Sequence, residues 1–253
     1  MFLLNYTLYL ADNALLLGHR NSEWCGHGPV LEQDIAITNI SLDLIGQARN
    51  FYQYAALLKN DGSTEDTFAY TRDIREFKNC LLNELPNGDW GQTILRQFLF
   101  SNYQYLLYEQ LQHGHDQQLA AIAAKALKEV TYHLRWSSEW VIRLGDGTEE
   151  SHRRMEQAIA EIWSYTGELF IPASYELEAN ANGIAPDLKT LEVSWLQKVN
   201  EIFTAASLSA FAKAMADKVY MHKGGKQGNH TEYMGYILAE LQFMQRAYPG
   251  AEW

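Results

Sequence analysis

Residues 31–59 contain no proline, and Leu31, Ile35, Thr38, Leu42, Ile45, Phe51 and Leu58 recur there at spacings close to i, i+3, i+4, i+7. Pro29 stands just ahead of them, and its fixed φ suits the approach to a helical first turn. The spacing predicts one helix over 31–59, about 43 Å long at 1.5 Å per residue. A helix of that length needs neighbours of similar length to bury its apolar stripe, and this narrows the fold class.

The rest of the chain supplies such neighbours. Only five prolines occur, Pro29, Pro86, Pro172, Pro186 and Pro249, and they punctuate stretches of helical period. Further helices are expected over 5–17, 73–85, 90–113, 117–144, 149–169, 188–218 (with a break) and 232–247. The breakers NDGS, PNGD, GHD, GDG, NANG and HKGGKQGN separate them. No stretch alternates as a strand does, and no fixed-period repeat points to a solenoid. The expected fold is all-α, a ferritin-like bundle of long helices, with residues 1–253 forming a single domain.

Charge and cysteine usage bound the function. A formal net charge of −11 argues against a general nucleic-acid binder, although a local basic cluster can still hold a small anion. Cys25 and Cys80 have neither disulfide-framework nor metal-site spacing, and read as two buried, reduced thiols of a cytoplasmic protein. The apolar start MFLLNYTLYLADNALLLG has no basic leader and is interrupted by Asp12 and Asn13. It reads as a core helix rather than a signal peptide or membrane span.

Two segments resemble metal-binding helices without their ligands. A carboxylate-bridged two-metal bundle takes Glu-x-x-His from each of two helices, because i and i+3 share a face and converge on one ion. Leu44-Ile45-Gly46-Gln47 has that form with Leu for the carboxylate and Gln for the histidine; Val130-Thr131-Tyr132-His133 keeps only His133. Alkyl and amide groups do not supply the charge that holds a pair of iron ions. At i, i+4 spacing, Asp43/Gln47 and Glu129/His133 pair instead. Asp43, Glu129 and His133 could then serve an independent metal-binding oxidoreductase, or they could be ordinary intrahelical contacts. No nucleophile elbow, phosphate-binding P-loop or H-E-x-x-H is present. His113 and His115, flanking Gly114, sit where a helix should end and read as a cap.

Six stretches together carry a family resemblance: EWCGHGPVLEQDIAITNISLDLIGQARNF (23–51), RDIREFKN (72–79), PNGDWGQTILRQF (86–98), AAIAAKALKEVTYHLRWS (120–137), RLGDGTEES (143–151) and GGKQGNHTEYMG (224–235). With them the chain resembles, over residues 6–253, the C subunits of phenylacetyl-CoA 1,2-epoxidase, a multicomponent oxygenase of aerobic phenylacetate degradation. The resemblance implies a ferritin-like bundle with a degenerate di-iron site at Leu44, Gln47, Val130 and His133. It also implies a homologous catalytic A subunit that holds the di-iron centre, and a small B subunit bridging assemblies. Electrons would reach the complex from NADPH through a reductase subunit with FAD and an iron–sulfur centre. This chain would have no cofactor or catalytic residue of its own.

The same resemblance places Arg75-Glu76-Phe77-Lys78 and the loop near Glu176-Leu177-Glu178 at the A–C junction, close to the phenylacetyl-CoA ester. Within one helical turn, Arg75 and Lys78 could meet phosphates while Phe77 flanks an adenine. The alternative is a solvated first turn with Phe77 packed inward. HKGGKQGNH (222–230), with Lys223 and Lys226, reads either as an anion-approaching loop or as a connector at a partner contact.

Overall fold

Long segments of helical period become helices in this chain. In the computed structural model, which describes residues 1–210 and 219–251, no strand occurs among the described residues. Among the described residues the α-helices are α1 (Phe2–Ser22), α2 (Leu31–Lys59), α3 (Glu65–Tyr70), α4 (Trp90–Leu111), α5 (Gln117–Gly145), α6 (Glu149–Ile162), α7 (Ser174–Ala181), α8 (Leu188–Ala205), α9 (Glu232–Leu241) and α10 (Phe243–Ala247). Asp89 opens α4 by accepting from the Gln92 amide at 2.9 Å while Gln92 returns a bond to the Asp89 amide. Asp116 caps α5 in the same way through the Leu119 amide.

The chain forms two compact units, one of Met1–Pro86, Ala173–Ala179 and Gly224–Trp253, the other of Asn87–Pro172 and Asn180–Lys223. The first is built on α1 and α2. Tyr52 donates to Asp12 at 2.6 Å, and a Cβ on Gly18 would touch Leu44 and Ile45, so the two helices run antiparallel in close contact. The second is built on α4 and α5, also antiparallel: Trp90 meets Trp136 and Trp140 edge-on, and Glu129 lies near Tyr108. Here Asn102 donates to the Trp195 carbonyl and Trp195 Nε1 to the Leu99 carbonyl, clasping α8 to α4.

Several expectations need correction. Residues 73–85 are not one helix but two short 3-10 turns, Ile74–Glu76 and Leu81–Glu84, joined by extended chain. The cause is competition for the amides: Lys78 N donates to Asp12 and Cys80 N to Asn13, so neither is left for an i−4 carbonyl. The segment over 149–169 is α6 followed by two 3-10 turns, and α8 ends at Ala205; residues 211–218 of the expected 188–218 helix lie outside the described residues. The 232–247 segment divides at Gln242 into α9 and α10. Cys80 is buried as expected, but Cys25 is exposed. No helix among the described residues is long and apolar enough to cross a membrane.

Candidate functional site

The α2 tetrad packs in part against Gly18 of α1. Leu44 is fully buried and Gln47 nearly so. The α1 residue against Leu44 is Gly18, whose added Cβ would stand 3.2 Å from the Leu44 Cβ. Asn13 is turned elsewhere: its side-chain oxygen accepts from Cys80 N and from Asn83 Nδ2, both at 2.9 Å. Asp12, the nearest buried carboxylate along α1, is taken by Arg72 and Tyr52.

The second tetrad lies on α5. Val130 and His133 are fully buried on α5. On α4, four of the buried polar residues, Gln97, Ser101, Gln104 and Tyr108, recur at helical spacing, with Gln97 donating to Ser101 at 2.7 Å and Gln104 to Tyr108 at 3.3 Å. Burial raises the Tyr108 phenol well above its ordinary value, and the Glu129 carboxylate adds to the effect. Among the described residues, no group of three or more His, Cys, Asp or Glu is placed to hold a metal ion, so Asp43, Glu129 and His133 are not gathered into one. Leu44 and Gln47 in one tetrad, and Val130 and His133 in the other, supply one imidazole and no carboxylate, a set that does not fit a pair of iron ions.

Around residues 72–84 the first unit concentrates its buried charge. Asp12 accepts from both Arg72 terminal nitrogens (2.5 and 3.2 Å), from Tyr52 (2.6 Å) and from the Lys78 amide (2.7 Å). Burial works against the Arg72 cation, but Asp12 and Tyr52 outweigh it and its pKa is raised. Glu84 is equally enclosed: it accepts from Asn79 and from the Thr231 amide and hydroxyl, and His230 Nδ1 lies 2.6 Å away. Sequence reasoning missed both knots, whose members are distant in the chain.

The candidate ligand-contact residues share this unit. Phe77 is fully buried with its ring 4.0 Å from the Arg72 guanidinium, so it cannot flank a base. Glu176 sits not in a loop but in α7, buried, with Lys226 Nζ 3.0 Å from its carboxylate. That pairing also fixes Lys226 within the fold. Arg75, Glu76, Leu177 and Glu178 are exposed; the Glu76 carboxylate accepts from the Asp73 amide. Lys78 is half-buried over the Tyr175 ring, and its pKa is lowered by burial and by Arg72. The glycines of the 224–228 loop let it press on this segment: a Cβ at Gly225 would stand 2.3 Å from the Asn79 carbonyl, and one at Gly228 2.3 Å from that of Arg75.

These features define an all-α protein built on pairs of long antiparallel helices, the element from which ferritin-like bundles are made. The chain belongs to the phenylacetic acid catabolic protein family, whose model matches residues 2–253. It is 47% identical over 248 residues to the C subunit of 1,2-phenylacetyl-CoA epoxidase of Escherichia coli (strain K12), covering 98% of each chain.

Proposed function

We propose that this chain is the non-catalytic structural subunit of a phenylacetyl-CoA 1,2-epoxidase, pairing with and stabilising a di-iron A subunit. The observation that carries this reading is the pair of buried alkyl side chains, Leu44 and Val130, where the bundle pattern calls for carboxylates. The near-full-length relationship to an epoxidase C subunit supports it. Residues 1–253 act here as one ferritin-like domain, cytoplasmic, with a small B subunit joining assemblies. O2 activation belongs to the A subunit's iron, fed from NADPH through the FAD and iron–sulfur reductase. What this chain adds is binding and shape.

Arg75 and Lys78 are the cations this reading assigns to the CoA side, and Leu177 and Glu178 border the same contact. The test is reconstitution of the A and reductase subunits with and without this chain, measuring O2-dependent epoxidation of phenylacetyl-CoA. Activity that needs the chain supports the proposal; full activity and full iron loading of the A subunit without it defeat the proposal. In the reconstituted complex, Arg75→Ala/Lys78→Ala raises KM at unchanged kcat if the pair holds the ground-state ligand; unchanged KM returns both cations to solvent.

A further inference from the structure

A cavity of about 500 Å³ opens in the second unit between α4, α5 and α8, within the range of about 300–1,000 Å³ typical of ligand sites. Its lining follows the helical period. Helix α5 contributes Thr131, Arg135, Ser138 and Ile142 at spacings of 4, 3 and 4 residues, and α8 contributes Ser194, Lys198 and Ile202 at spacings of 4. Ser138 and Ser194 bring small side chains where larger ones would close the space. Leu106, Leu134, Ile142 and Ile202 supply apolar walls, with Tyr105 beside them.

The polar members of the lining decide what fits. Ser138 is 7% exposed, and its hydroxyl has no hydrogen-bond partner among the described residues. A buried hydroxyl in that state has lost its bonds to water without replacement, so a ligand that bonds to it gains affinity. Arg135, exposed on the lip, makes no ion pair among the described residues; its guanidinium lies 5.8 Å from the centre of the Tyr132 ring. Lys198, by contrast, is held by Glu201 at 3.0 Å. Arg135 and Ser138 are three residues apart on one face, with Cβ atoms about 5–6 Å apart, so one carboxylate can accept from both. Glu139, exposed on the same lip and without an ion pair among the described residues, opposes a second negative charge.

We propose that this cavity binds a small monocarboxylate with an apolar body, an aryl-alkanoic or medium-chain fatty acid, whose carboxylate accepts from Arg135 and Ser138. The proposal does not depend on the subunit pairing, and the full-length chain alone tests it. Titration calorimetry with phenylpropionate and with octanoate gives dissociation constants, and the uncharged phenylpropanol and octanol measure what the carboxylate adds. The variants are Arg135→Gln, Ser138→Ala and Ser194→Trp, the last to fill the cavity from its exposed lip. Lys125→Gln, which removes an exposed cation of α5 that does not line the cavity, is the control. Melting curves accompany each variant.

The expected result is one acid bound per chain, with the matching alcohol about tenfold weaker or more. Arg135→Gln should weaken the acids by a similar factor and leave the alcohols unchanged. Ser138→Ala should weaken the acids several-fold, Ser194→Trp should abolish binding, and Lys125→Gln should match wild type. If Ser194→Trp does not fold, Arg135→Gln, at an exposed position, carries the comparison. Tighter binding of phenylpropionate identifies an aryl acid and tighter binding of octanoate a fatty acid; either order supports the site. Equal affinity for acid and alcohol, acid binding unchanged in Arg135→Gln, or no saturable binding of either acid at millimolar concentration overturns the proposal.

Discussion

Asp12 and Arg72 show how this chain uses buried charge. The carboxylate has four donors and the guanidinium is sandwiched near Tyr52, Phe68 and Phe77, so each neutralises what the other would cost alone. Arg72→Met leaves a buried carboxylate without its cation and is expected to destabilise the protein by about 3–5 kcal/mol in denaturant titration. The double variant Asp12→Asn/Arg72→Met should recover part of that loss; strict additivity would show that the pair is not coupled. Tyr52 and Tyr108 set an alkaline limit. Burial raises both phenols, with Asp12 adding at Tyr52 and Glu129 at Tyr108. Both are held neutral when folded, so this contribution is whole below the unfolded value near 10 and is lost as pH rises toward the folded values. Stability should fall above about pH 10 by up to about 1.4 kcal/mol per pH unit per tyrosine, and Tyr108→Phe should reduce that slope. An unchanged slope in the variant would remove Tyr108 from the account.

Among the elements, α2 was legible end to end because its apolar period is sustained and Asn60 stops it in a left-handed conformation at φ 49°. Which of its faces is buried was not legible, since Leu31, Ile35 and Leu42 repeat as regularly as Ile37, Ile40 and Leu44. Residues 73–85 misled for a related reason. Phe77, Leu81 and Leu85 keep a helical spacing, while the groups that claim the Lys78 and Cys80 amides lie on α1, more than sixty residues earlier. That Leu44-Ile45-Gly46-Gln47 has the form of Glu-x-x-His without its ligands could be read in four residues, but Gly18 against Leu44 could not. The 224–228 loop offers a test at this scale. Gly228 has φ +82° and its added Cβ would meet the Arg75 carbonyl, so Gly228→Ala should cost about 2 kcal/mol or more and lower Tm. It should also weaken any contact made through Arg75. A variant as stable as wild type would mean that the loop yields more readily than its geometry implies.

At the scale of the whole molecule, the proposed reading takes Leu44 and Gln47 on α2 and Val130 and His133 on α5 as the remnants of a di-iron ligand set, all four buried. Putting ligands back by Leu44→Glu, Gln47→His and Val130→Glu adds buried charge without completing a site, because Gly18 supplies no carboxylate from α1. The triple variant should lose several kcal/mol of stability and bind no iron; stoichiometric iron in it would show that the scaffold still forms a metal centre. The most direct measurement of the central claim is iron content, taken on the wild-type chain alone and on its complex with the A subunit after growth in iron-rich medium. The account predicts no stoichiometric iron in the isolated chain and a complex whose iron stays with the A subunit when the two are separated. About two irons per isolated chain, the complement of a carboxylate-bridged pair, would contradict it.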